Sequence, residues 1–94
     1  MATRIPYVWE KVMIAVEELC GGGGPFEERL FNAYFSALSN LSSTDVTAEL
    51  VEDLNFVLQK CQQHLVPGAG RMTPVEELDR FAIARKLVLL LIET

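Results

Sequence analysis

His64, the chain's only histidine, and its two cysteines, Cys20 and Cys61, are the side chains best suited to hold a metal or assist a nucleophile. Cys61 lies three residues before His64, one helical turn away, so both could reach one ion. Two ligands do not close a site, and Cys20 would have to arrive from another element. The plainer reading is a small core thiol followed by a histidine at a helix end, where its charged form suits the dipole. A serine nucleophile would need His64 as its base, and no motif brings a serine there. No catalytic residue, metal or cofactor is expected, and the chain reads as a non-enzyme.

Acidic side chains come in adjacent pairs: Glu17-Glu18, Glu27-Glu28, Glu52-Asp53 and Glu76-Glu77. Neighbours on a helix point about 100° apart, so each pair faces water rather than converging on one point. The Glu-x-x-His spacing by which helical bundles hold two irons is missing. Gly21 to Gly24 could in principle cradle a phosphate before a helix. Pro25 removes a donor there, Glu27 and Glu28 add negative charge, and the Lys-Ser/Thr of a P-loop does not follow. Gly68-Ala69-Gly70 lacks that spacing too, and both stretches read as connectors. The turn Ser42-Ser43-Thr44-Asp45-Val46 also lacks the Asp-Ser-Leu on which acyl carrier proteins bear their prosthetic arm.

The elements that carry these residues follow from apolar periodicity and from breakers. Ile5, Val8, Trp9, Val12, Met13, Val16, Leu19 and Cys20 fall at the i, i+3, i+4, i+7 spacing of a helix over 5–20, with Pro6 in its opening turn. The glycine run ends it, and Pro25 opens a second helix over 25–40 whose apolar arc is about twice the width of one packing face. Ser42 to Asp45 supply capping oxygens for a third helix over 45–65, with the stripe Val46, Leu50, Leu54, Val57, Leu58, Cys61 and Leu65. Thr73-Pro74-Val75-Glu76 has the form of a capping box, placing the fourth helix over 74–93. That helix carries two apolar faces. Leu78, Phe81, Ala82, Val88, Leu89 and Ile92 are expected to face the core, and Ile83, Leu87 and Leu90 to form a second face opposite, in a dimer contact or packed under another element. No period-two alternation marks a strand. The fold expected is all-α, a compact antiparallel bundle of about four helices forming a single domain over 1–94.

Thirteen acidic residues against eight basic ones give a net charge of −5, and the basic residues are scattered, which speaks against nucleic-acid binding. The longest apolar run, Leu87 to Ile92, is far shorter than a membrane span of roughly 20 residues. No secretory leader is read in the first 20 residues, and two cysteines make no disulfide framework, so a cytoplasmic protein with reduced, slowly reacting thiols is expected.

Half the residues are hydrophobic, a large share for so small a chain, and the surplus calls for a shared surface. The residues expected there are Phe31, Phe35, Phe56, Ile83, Leu87 and Leu90. The function expected is a protein–protein interaction or assembly module acting through apolar helix faces, as a homodimer and with scope for another protein partner. Two alternatives are a ligand-binding bundle with a pocket of Trp9, Phe31, Phe35 and Cys61, and a regulatory subunit that contacts a nucleic-acid machine through protein.

Overall fold

The computed structural model describes residues 5–93; residues 1–4, Thr94 and the side chains of Ile5 and Pro6, assigned above to the first helix, lie outside the described residues. Helix α1 spans Ile5–Gly21 and buries Val8, Val12, Ala15 and Leu19, a 4-3-4 stripe. Its last turn closes where the Gly22 N–H donates to the Glu18 carbonyl at 3.0 Å. The Arg29 guanidinium then donates to the Leu19 carbonyl at 2.6 Å, covering a helix-end acceptor from the next helix. A Cβ on Gly22 would lie 2.6 Å from the Glu18 oxygen, so only glycine fits the tight exit.

Helix α2, Phe26–Ser36, follows Pro25 with Glu27 and Glu28 in its first turn, where acids suit the positive dipole end. It buries Leu30, Ala33 and Tyr34, then gives way to a 3-10 turn over Leu38–Asn40. A second 3-10 turn, Ser43–Asp45, is closed by the Ser42 N–H donating to the Asp45 carboxylate at 3.0 Å. The capping oxygens of this segment therefore serve that turn, and α3 starts later, over Ala48–His64 behind Thr47. Leu50, Leu54, Val57 and Cys61 form its buried stripe, again 4-3-4.

A minimal antiparallel hairpin follows, β1 (Leu65–Val66) with β2 (Arg71–Met72), pairing Leu65 with Met72 and Val66 with Arg71. Two-residue strands leave no alternation to detect. Their loop contains Gly68 and Gly70 at φ 71° and 66°, a backbone region that favours glycine.

Helix α4 spans Glu77–Glu93, starting three residues after the expected Pro74. Pro74 disfavours helical backbone at Thr73, and the Thr73 N–H is taken by the His64 carbonyl at 2.7 Å. Val75, only 2% exposed, is drawn into the core. Its N–H donates to the Glu27 carboxylate at 2.7 Å. Helical bonding begins where the Arg80 N–H donates to the Glu76 carbonyl at 2.9 Å. The capping box read from the sequence does not form; Thr73 serves the end of α3 instead.

The four helices pack against one another: α1 against α2 and α4, and α3 mainly against α4. Ion pairs Lys60–Asp79 at 3.2 Å and Lys86–Asp53 at 2.9 Å join late residues of α3 to early residues of α4 and the reverse, so these helices run antiparallel. One continuous core runs through the bundle from Val8 on α1 to Leu90 on α4. Among the described residues no helix is long and apolar enough to cross a membrane.

Candidate interaction surface

The two apolar faces of α4 have opposite fates: the Ile83/Leu87/Leu90 face is packed under other elements, the second of its two expected places, and not in a contact with a partner. Ile83, Leu87 and Leu90 are each 0% exposed. They are core residues and offer nothing to a partner. The face expected inside is the outer one: Leu78 is 81% exposed, Phe81 65%, Val88 45%, Leu89 39% and Ile92 69%. At 100° per residue these five fall within an arc of about 100°, centred opposite the buried stripe.

Arg85 explains the choice. It lies on the same arc, exposed, between Phe81 and Val88. Turning that face inward would bury a guanidinium with no partner assured, whereas Ile83, Leu87 and Leu90 bring only aliphatic groups, at about 1.5–3 kcal/mol each for full burial. The cue was present in the sequence: one arginine in the middle of an apolar arc marks the solvent side. Leu78, Phe81, Arg85, Val88 and Ile92 follow the 3-4-3-4 spacing of a helix-pairing seam. Phe81, Ala84, Arg85 and Val88 line a shallow open depression along it.

The aromatic candidates divide. Phe56, on the otherwise polar outer side of α3, has the Lys60 ammonium 5.7 Å and the Lys86 ammonium 5.2 Å from its ring centre. Its ring is half-buried beneath lysines from both helices, which accounts for an aromatic there without any partner. Phe31 is half-buried against Phe35, ring centres 4.7 Å apart, and lines a groove with Pro25, Asn32 and Met72. Phe35 is 52% exposed, its ring edge-on to Tyr34 at 5.2 Å. Trp9, on α1, is 42% exposed. Cys61 is sealed in the core while Trp9 and Phe35 face solvent, so the pocket expected from these residues is not enclosed.

The groups with chemical potential are dispersed. Burial pushes the Cys61 thiol up to about 12, which keeps it protonated and inert. Cys20 is exposed, so the burial that would make it slow to react is missing, unlike at Cys61; it lies on the edge of α1's apolar arc that turns to solvent. His64 is half-buried at the end of α3, its Nδ1 2.9 Å from the Thr73 hydroxyl. Among the described residues no three histidines, cysteines or carboxylates gather as a metal site would require. A Cβ on Gly24 would lie 2.7 Å from the Glu28 carboxylate, so an acid folds over the glycine run where an anion would have to sit.

The most constrained carboxylate is Glu27, which accepts from the Val75 N–H at 2.7 Å and from the Arg80 guanidinium at 3.0 Å. The Val75 N–H is the main cause holding its carboxyl below the ordinary 4.5, with burial opposing and Arg80 assisting. This pins the start of α2 to the start of α4, a structural duty rather than an acid–base one.

Comparison of the chain with known protein families, with curated proteins and with solved structures finds no match.

Proposed function

We propose that the protein is a non-catalytic interaction module that docks through the outer stripe of α4. The observation that carries this reading is five large apolar side chains, 39–81% exposed, aligned on one side of a helix whose opposite side is closed in the core. Large apolar side chains scattered singly over a surface are ordinary; an aligned, contiguous set is the usual mark of a docking site. An aromatic and an arginine within it, Phe81 and Arg85, are the residue types that most often anchor protein interfaces. The cytoplasm is the compartment we assign, on the support of two unpaired cysteines.

A photo-crosslinking amino acid placed at Phe81, and as a control at exposed Gln59 on α3, tests the reading in the native cell. Discrete adducts from position 81 alone are expected. No adduct at 81, or the same products from both positions, would contradict it.

A further inference from the structure

Resting on that reading, we infer that the occupant of the α4 seam is a second copy of this chain, laid antiparallel across a two-fold axis near residue 83. A two-fold interface requires a surface complementary to itself, and the seam has that property in one direction only. Side by side in parallel, each residue would meet its own copy, and Arg85 would face Arg85 inside an apolar strip, a like-charge contact in a desolvated place. In the antiparallel arrangement seam positions pair across the axis. Phe81 then meets Arg85 of the second copy, Arg85 meets Phe81, and Leu78 meets Val88.

The one charge in the seam thus lands on the face of an aromatic ring, twice by symmetry. A guanidinium over an aromatic face is a favourable contact that offsets part of the cost of taking the arginine out of water. Exposed Glu77, one turn before Phe81, lies within reach of the same arginine. Ala82 and Ala84 lie on either flank of the seam at the level of the axis, each opposite its own copy, and their small side chains let the helices approach closely. An unrelated helix would need its own ring or acid opposite Arg85; a second copy supplies both.

The size of the contact sets its strength. A 17-residue helix is about 25 Å long, so its outer stripe covers several hundred Å² a side, below the roughly 800 Å² of a standard interface. A contact of that size is expected to associate weakly and reversibly, with a midpoint on the order of 10–100 μM.

The test combines sedimentation with a distance measurement on the full chain. Wild type is expected to pass from 10.5 kDa to twice that mass as its concentration rises to about 0.5 mM. Phe81→Gln and Arg85→Glu should each weaken association at least about tenfold. Spin labels on Glu93→Cys, in a Cys20→Ser background that leaves only buried Cys61, should lie about 30 Å apart along the paired helices, against about 10 Å if the copies were parallel. A monomer at 0.5 mM, a dimer indifferent to Phe81→Gln, or the short distance would overturn the inference. A monomer that still gives a heavier adduct from position 81 in cells would reject the second copy while leaving the docking surface standing.

Discussion

Helices α3 and α4 are equal in length at 17 residues, lie antiparallel, and each closes one aliphatic stripe into the same core. Their outward sides differ. α3 turns Glu49, Glu52, Gln59 and Gln63 to water, and its one outward aromatic, Phe56, is covered by Lys60 and Lys86. α4 turns Leu78, Phe81, Val88, Leu89 and Ile92 to water, with no covering side chain like those over Phe56 among the described residues. Folding asks the same of both helices, one buried stripe, and both supply it. The second stripe of α4 exposes apolar surface that this core does not use, and on the proposed reading it serves a contact outside the monomer.

Substitutions within one helix should separate the two duties most sharply. Leu87→Ala is expected to destabilise the fold by about 2–5 kcal/mol, the cost of a core cavity. Leu89→Ala, two residues on, should change stability by about 0.5 kcal/mol or less at sub-micromolar concentration, where association adds nothing. Urea denaturation of the two variants measures the contrast.

A smaller effect should distinguish the two outward phenylalanines. Phe56→Ala removes a ring held between two lysines and is expected to cost about 1–2 kcal/mol of stability. Phe81→Ala should leave stability nearly unchanged and weaken association instead. Equal losses of stability would erase the distinction between α3 and α4.

The smallest effect concerns the Glu27 link that fixes where α4 begins. Glu27→Gln is expected to cost about 1 kcal/mol at neutral pH through its weakened bonds to Val75 and Arg80. Because the folded carboxyl titrates below 4.5, its stabilisation is present above that value and fades as pH falls through the lower folded value. Wild type and variant should therefore converge in acid. Paired urea titrations at pH 7 and pH 3 read this out, and a gap that persists or widens in acid would show that the charge is not what stabilises the link.

Periodicity and breakers were enough to read an all-α chain with four helices, because aliphatic residues at 3-4 spacing and runs of glycine act locally. What escaped the reading depends on distant partners. The late start of α4 follows from the bonds of Thr73 to His64 and of Val75 to Glu27, 48 residues away in the chain. The hairpin is too short to print a pattern. The inner and outer faces of α4 were interchanged because both are apolar, and counting apolar residues favours the larger set. Arg85 at the centre of that larger set was the physical cue that decides between them.

Replacing Phe81, Val88 and Ile92 together by glutamine, a good helix former, and measuring unfolding in urea at sub-micromolar protein isolates the central claim. If the outer stripe of α4 is free of folding duty, the triple variant unfolds with the wild-type slope and within about 1 kcal/mol of wild-type stability. A loss of several kcal/mol, on the scale of Leu87→Ala, would place these side chains in the core and contradict a docking surface on α4.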